Sequence, residues 1–200
     1  TEHNIWIGTY YGGLNLMDPS TGKFKKLTAG ANGTHLTGNN IVSINEDLDK
    51  NLWIGTDDGG LNRYNLKTKL FSHYFTEGGK KPDLRVIFVD GKGNLWIGQA
   101  GLYCFNASKN KFVPATQKAG LSTAFIKGIT EDEQGNLWIS TANGLTKFHP
   151  QKQTFKQYNM ADGLQGQEFE SNAYLKTKSG EMFFGGINGF NSFFPKDIKN

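Results

Sequence analysis

Glycine accounts for 26 of the 200 residues and aromatic residues for 13%, which excludes Gly-rich disorder and predicts a folded chain with many turns. No apolar run approaches the roughly 18 residues that a membrane span needs. The net charge of +4 comes from scattered lysines, so the basic stripe of a nucleic-acid-binding protein is missing, and the single Cys104 excludes a disulfide framework.

The chain contains an internal repeat that is anchored on tryptophan. The string NIWIGT at 4–9 returns as NLWIGT at 51–56, NLWIGQ at 94–99 and NLWIST at 136–141, with a degenerate EMFFGG at 181–186. The anchors Trp6, Trp53, Trp96, Trp138 and Phe183 are therefore 47, 43, 42 and 45 residues apart. A period in the forties is typical of helical repeats or of four-stranded propeller blades.

The pattern inside one period favours blades. Between residues 41 and 75, four apolar or β-branched runs alternate with turns rich in Gly, Asn, Asp and Lys, whereas a helix pair needs longer segments with few glycines. Each unit is thus predicted to be a meander of four antiparallel strands. Stacking such sheets buries both faces of each one, as in a β-propeller.

Taken in chain order, the strands predict four and a half blades. The chain starts in the second strand of a unit, near 4–9, and three full units follow, with first strands near 41–46, 84–89 and 125–131. The last unit has strands near 171–177, 181–185 and 189–194. The predicted fold is all-β, a single propeller fragment over 1–200, with repeats at 4–40, 41–83, 84–123, 124–170 and 171–197. No helix longer than a turn or two is expected.

The tryptophans are interpreted as structural. We expect Trp6, Trp53, Trp96 and Trp138 to be equivalently buried on second strands, between neighbouring blades. Glycine in the turns at 90–93, 132–135 and 178–180 supplies the positive φ of a tight hairpin.

The repeat closely resembles the two-component regulator propeller. The matching features are Glu46-Asp47 and Glu131-Asp132, the tryptophan strings, and the Gly-Leu pairs at 60–61, 101–102 and 144–145. The segments 162–169 and 183–195 resemble the last blade of that family. The resemblance implies the periplasmic sensor region of a hybrid two-component histidine kinase of the Bacteroidetes, one that oversees polysaccharide utilisation. It also implies that the membrane is reached only through downstream segments, and that this chain is not itself an enzyme.

Candidate ligand-binding positions come from the loops. If the four strands of a blade are lettered A to D in chain order, the D-to-A and B-to-C loops of a propeller share one face. The D-to-A loops here are long and dissimilar, at 28–40, 76–83, 114–123 and 159–170, and specificity usually lies in such loops. Aromatic and amide side chains in the B-to-C loops suit an oligosaccharide. Two cations, Arg85 and Lys127, occupy the same repeat position on the first strand. They either face the channel and meet an anionic sugar or pair with acids such as Glu46 or Glu131. The candidate residues are Tyr10, Tyr11, Asp57, Asp58, Arg85, Lys127, Asn143 and Asn188.

Two other function classes stay open. A propeller enzyme, such as a polysaccharide lyase or hydrolase, needs a catalytic His or Tyr with a basic partner, and a protein-interaction propeller needs a broad apolar patch. The four histidines occupy different repeat positions, so no metal spacing or catalytic triad is visible, and we expect no cofactor.

Because the first and last sheets leave open faces and edges, we expect the chain to self-associate.

Overall fold

Short antiparallel strands joined by tight turns make up the computed structural model, which describes residues 5–30, 34–57, 59–74, 84–109, 111–115 and 125–198. The chain forms two compact units, Thr1–Val89 and Asp90–Asn200. The described residues contain 18 strands, the number predicted, and helical structure there is limited to three 3-10 turns at Ala107–Lys109, Met160–Asp162 and Pro195–Asp197. The all-β, blade-type prediction is confirmed.

Unit 1 contains a three-stranded sheet, a four-stranded sheet and one further strand. The first sheet has the order β1-β2-β3 and the second β4-β5-β6-β7. Their bounds are β1 Ile5–Thr9, β2 Gly13–Met17, β3 Phe24–Leu27, β4 Ile41–Glu46, β5 Asn51–Thr56, β6 Gly60–Asn65, β7 Phe71–Tyr74 and β8 Val86–Val89. The Asn45 side chain of β4 donates a hydrogen bond to the Ile87 carbonyl of β8 at 3.2 Å, which links the first strands of two successive repeats.

Unit 2 continues the series. The strands β9, β10 and β11 pair in that order, β12 to β15 form a four-stranded sheet, and β16 to β18 form a three-stranded sheet. Their bounds are β9 Leu95–Gln99, β10 Gly101–Asn106, β11 Lys111–Pro114, β12 Ile126–Glu131, β13 Leu137–Thr141, β14 Gly144–His149, β15 Thr154–Tyr158, β16 Phe169–Lys176, β17 Met182–Gly186 and β18 Gly189–Phe193.

Each unit buries an apolar layer between its successive sheets. In unit 1 the layer joins Leu14 of β2 to Ile41, Leu52 and Tyr64 of the next sheet. In unit 2 it is aromatic and joins sheet β12–β15 to sheet β16–β18. Its buried members are Trp138, Leu145, Tyr158, Phe169, Met182 and Phe184. Burial of these faces is the main stabilising contribution of the repeat.

Three of the four tryptophans have the same environment. Trp53, Trp96 and Trp138 are 2%, 4% and 1% exposed, as predicted. The expectation for Trp6 is wrong, because this side chain is only half-buried and meets Tyr64 edge-on at 5.9 Å. The reason is its position: β1 is the edge strand of its sheet, and among the described residues no first strand of its own repeat lies beside it.

An aspartate fixes each buried indole. Asp132 accepts hydrogen bonds from the Asn136 amide nitrogens of main chain and side chain, at 2.8 to 3.0 Å, and from Trp138 Nε1 at 2.9 Å. Asp47 and Asp90 make the same contacts with the Asn and Trp that follow them. These aspartates thus close the first turn and satisfy the only polar atom of the indole, a role that the sequence interpretation missed.

The turns between first and second strands require left-handed backbone. Gly93, Gly135 and Gly180 have φ of 83°, 76° and 88°, and Lys50 takes the equivalent place with φ of 63°. The glycine prediction is confirmed at three turns, and at the fourth a lysine accepts the less favourable conformation.

Candidate functional site

Two tyrosines at the β1–β2 turn are the most exposed aromatic pair of unit 1. Tyr10 is 57% exposed and Tyr11 78%, and their rings meet edge to face, with centroids 4.7 Å apart at 80°. The two predicted aromatic loop residues therefore form a corner of two rings. Tyr11 has φ of 64°, a conformation that costs a bulky residue free energy and often marks a functional position.

The next sheet supplies polar groups to this corner. The Tyr10 hydroxyl donates to Asp57 Oδ2 at 3.1 Å, and the Tyr11 main-chain N–H donates to the Asn40 side-chain oxygen at 2.8 Å. The Asp57 N–H in turn donates to the Asn40 carbonyl at 2.9 Å. Two turns that are 47 residues apart are thereby tied into one surface, which we call the Tyr10–Asp57 corner (Tyr10, Tyr11, Asn40 and Asp57).

Charges of both signs act on this corner. The hydrogen bond to Asp57 and the negative charge of that carboxylate raise the pKa of the Tyr10 phenol above its ordinary value, and the positive charge of Arg85 acts in the opposite direction. Arg85, just before β8, is exposed. The corner thus combines two rings, a carboxylate and an amide, the groups that hydrogen-bond hydroxyls and cover the apolar face of a sugar. Asp58, the other predicted acid, lies outside the described residues.

The three described candidate residues of unit 2, Lys127, Asn143 and Asn188, contact different partners. The Lys127 ammonium lies 5.6 Å from the centre of the Phe125 ring. Asn143 is exposed, and its N–H donates to Thr141 Oγ1 at 2.9 Å. Asn188 holds a loop, since its N–H donates to the Gln165 side-chain oxygen at 3.0 Å.

The Lys127 position is a β-bulge in two of the repeats, although no described strand pairing covers the equivalent Arg85. The register of β12 with β13 shifts between Ile126 and Gly128, and that of β4 with β5 shifts between Ile41 and Ser43. Lys127 and Val42 are therefore the bulged residues, and a bulge re-aims a side chain. Of the acids named for the pairing alternative, Glu46 contacts Lys50 Nζ at 2.9 Å, and Glu131 accepts from the Gly91 N–H at 2.6 Å.

Asparagine on the third strand of a repeat anchors the loop that precedes the first strand. The Asn62 side-chain oxygen accepts from the Thr37 N–H at 3.0 Å, and the Asn191 oxygen accepts from the Gln165 N–H at 2.9 Å. Thr37 and Gln165 both lie four residues before the first strand. The repeated strings GLN at 60–62 and GFN at 189–191 carry the signal, which the sequence interpretation did not use.

A second contact ties the same loops to the preceding sheet. The Gly13 N–H donates to the Asn39 carbonyl at 2.9 Å, and the Gly144 N–H donates to the Gln167 carbonyl at 2.6 Å. A Cβ at Gly13 or Gly144 would lie 2.4 Å from a backbone oxygen. The last residues of these two long loops are thus fixed by the scaffold.

Sequence comparison matches two of these repeats to a known family model. A sequence model of the two-component regulator propeller matches residues 35–58 and 120–143. Each match contains the first and second strands of one repeat, β4 with β5 and β12 with β13. "Histidine kinase P4" of Formosa agariphila is 32% identical over 82 residues, which is 41% of this chain and 6% of that protein.

Solved structures with this fold cover nearly the whole chain. The extracellular domain of a protein described as a hybrid two-component system of B. thetaiotaomicron is 30% identical with a TM-score of 0.78, over 98% of this chain and 26% of that one. A virginiamycin B lyase from Staphylococcus aureus, 11% identical, has a TM-score of 0.67 over 96% of this chain and 66% of that one, a likeness of fold alone. This chain thus spans about a quarter of the length of the first structure. Among the described residues no helix is long and apolar enough to cross a membrane.

Proposed function

Since the chain carries two-component regulator propeller repeats, we propose that it is part of the periplasmic sensor region of a hybrid two-component histidine kinase and that it binds an oligosaccharide. The 30% identity to an extracellular domain of such a system, over 98% of this chain, supports the sensor assignment. Regulation of polysaccharide utilisation is the output that we propose for the whole protein.

The Tyr10–Asp57 corner is the observation that carries the ligand proposal. Tyr10 and Tyr11 keep more than half of their surfaces exposed although burial of an aromatic ring is favourable. Beside them lies an acceptor, Asp57, and the positive charge of Arg85 acts on Tyr10. A pyranose ring has an apolar C–H face and hydroxyl groups at its rim. One sugar residue therefore covers a tyrosine ring with its face and donates a hydroxyl to Asp57.

We propose that the chain binds its ligand without cleaving it. A ligand-sensing role requires that the sugar leave intact, whereas a lyase or hydrolase needs a base and an acid placed on either side of one bond. At the corner, the Asp57 carboxylate accepts from a phenol whose pKa is raised. That phenol is consequently a weaker acid and its phenolate is scarce at neutral pH, which disfavours Tyr10 as a catalytic base.

A screen of the purified chain against immobilised neutral and acidic oligosaccharides tests this proposal. We expect retention of at least one oligosaccharide, recovered with its mass unchanged after prolonged incubation. Recovery of shortened or unsaturated products, lost in a Tyr10→Phe or Asp57→Asn variant, would contradict the binding role. If no oligosaccharide is retained while an unrelated metabolite is, the ligand class is wrong and the sensor assignment is tested separately on the full-length protein.

A further inference from the structure

The segment 37–40 links the Tyr10–Asp57 corner to the buried part of unit 1. The Thr37 N–H donates to the Asn62 side-chain oxygen at 3.0 Å, and Asn62 is fully buried. A Cβ at Gly59 would lie 2.3 Å from the Thr37 carbonyl carbon, so the turn that carries Asp57 packs directly on this segment. The start of the segment is thus held by two neighbours.

Asn40, at the end of the segment, makes hydrogen bonds to both halves of the corner. Its side-chain oxygen accepts from the Tyr11 N–H at 2.8 Å, and its carbonyl oxygen accepts from the Asp57 N–H at 2.9 Å. The Tyr10 hydroxyl donates to Asp57 Oδ2 at 3.1 Å. The three hydrogen bonds and the peptide bond between the tyrosines therefore form a closed circuit, in which each contact limits the movement of the others. The corner has its shape before a ligand arrives, which lowers the entropic cost of binding.

The backbone of Tyr11 depends on this circuit. Its φ of 64° lies in the left-handed region, which costs a bulky residue free energy and persists only where neighbouring groups hold it. The bond from the Tyr11 N–H to the Asn40 side chain fixes the orientation of this peptide group. In that orientation the Tyr11 ring is 78% exposed and stands at 80° to the Tyr10 ring. The strained backbone thus presents the ring to solvent.

We propose that Asn40 is a positioning residue of the ligand site. Its side chain holds Tyr11 in the left-handed conformation, and its carbonyl group holds Asp57 against the Tyr10 hydroxyl. This rests on the proposed function, in which the ligand contacts the two rings and the Asp57 carboxylate. Removal of the Asn40 side chain therefore weakens binding by loosening the corner, although the groups that contact the ligand all remain.

The free chain gives a test that involves no ligand. In Asn40→Ala we expect the Tyr11 amide hydrogen to exchange faster than in the parent chain, because its acceptor is gone. We also expect the Tyr10 phenol to titrate at a lower pH, because the hydrogen bond and the negative charge of Asp57 that raise its pKa become weaker. Nuclear magnetic resonance of the labelled chain measures both.

Asn39→Ala is the matched control for this variant. Asn39 also accepts from one N–H through its side chain, that of Ala29, at the same distance of 2.8 Å, so the two substitutions remove equivalent hydrogen bonds. In Asn39→Ala the exchange of Tyr11 and the titration of Tyr10 should match the parent chain. Asn40→Asp keeps an oxygen acceptor for the Tyr11 N–H and should restore slow exchange.

Calorimetric titration with the oligosaccharide that the screen retains completes the test. We expect Asn40→Ala to bind about tenfold more weakly than the parent chain and Asn39→Ala less than about twofold more weakly. Asn40→Asp should recover most of the lost affinity, a rescue that a loss of packing alone would not give.

Two results would overturn the proposal. Parent-like exchange of Tyr11 in Asn40→Ala would show that Asn40 does not hold the corner, and this holds whether or not a ligand is known. Equal affinity losses in the two alanine variants would reduce the effect to a general loss of stability. If the parent chain retains no oligosaccharide, the proposed function fails and the ligand role of Asn40 fails with it, while the exchange data separately decide whether Asn40 orders the corner.

Discussion

The indole nitrogen of Trp138 lies 2.9 Å from a carboxylate oxygen of Asp132, six residues earlier in the chain. Both residues are buried, and the same pair recurs as Asp47 with Trp53 and Asp90 with Trp96. The hydrogen bond connects the turn that opens each repeat with the ring that packs against the neighbouring sheet. Turn formation and packing between sheets therefore depend on one side chain.

Replacement of this aspartate should be strongly destabilising. In Asp132→Ala, the buried donors of Trp138 and Asn136 lose their acceptor, so we expect the free energy of unfolding to fall by about 3 kcal/mol. Asp49→Ala, at an exposed position of an equivalent turn, should change it by less than about 0.5 kcal/mol. Urea unfolding followed by tryptophan fluorescence measures both, and equal effects would contradict the role of Asp132.

The loop anchor gives a second prediction. Asn62 is fully buried and accepts from both the N–H and the hydroxyl of Thr37, so Asn62→Ala should cost about 1–3 kcal/mol and speed hydrogen exchange at the Thr37 amide. Asn15 occupies the same repeat position, but its side-chain hydrogen bonds are 3.5 Å long, so Asn15→Ala is the control. If Thr37 exchanges at its original rate in Asn62→Ala, the anchor is not what orders the loop.

The thiol of Cys104 should react slowly. Burial, with a smaller contribution from the charge of Asp90, raises the pKa of Cys104 to about 11 from 9.0, and only the thiolate is nucleophilic. At pH 8 we expect modification by a disulfide reagent to be roughly 100-fold slower in the folded chain than in urea. Equal rates in the two states at pH 8 would contradict the raised pKa.

The same pKa links this thiol to stability. The unfolded chain releases the Cys104 proton near pH 9 and the folded chain only near pH 11. The contribution of this group is therefore fully present below about pH 9 and is lost as the pH rises towards 11. The free energy of unfolding should fall across that interval, and less so in Cys104→Ala.

We propose that the chain self-associates through the outer faces of its terminal sheets. Leu175 and Phe190 of the last sheet are 59% and 65% exposed, and the Phe183 and Phe190 rings lie 5.9 Å apart. The first sheet exposes Ile5 and Phe24, which a second copy would cover. Light scattering should give twice the chain mass of 22.2 kDa, and the chain mass itself for Phe190→Lys.

A control variant separates the proposed interface from charge alone. Leu70→Lys adds the same charge at a turn where Leu70 is also exposed, and it should leave the association unchanged. A parent chain that elutes at its own mass at micromolar concentration would contradict the proposal.

The sequence was sufficient for the fold because the strand pattern is repeated. Alternation of apolar residues, tryptophan strings and glycine turns predicted the strands to within about two residues. The exception, Trp6, shows the limit of an argument from repetition, since burial depends on the neighbouring strand and not on the string around the residue. The Asp–Trp spacing of six residues was visible in three copies, but its role depends on side-chain geometry.

The candidate site was less accessible to sequence reasoning. Tyr10, Tyr11 and Asp57 were chosen as B-to-C loop residues, but the bond from Tyr10 to Asp57 joins turns of two different sheets, and only the packing of those sheets decides it. Lys127 was assigned to a regular strand position, whereas the register shift makes it a bulged residue.

The most direct test of the central claim is calorimetric titration with the oligosaccharide that the screen identifies, on the parent chain and three variants. Tyr11→Ala removes the most exposed ring of the Tyr10–Asp57 corner, and Asp57→Asn removes its charge. Phe24→Ala removes an exposed ring at the other end of the same sheet as the tyrosines. We predict that each corner variant weakens binding at least tenfold, about 1.4 kcal/mol, and that Phe24→Ala binds as the parent does. Unchanged binding in both corner variants would contradict the claim that the Tyr10–Asp57 corner is the ligand site.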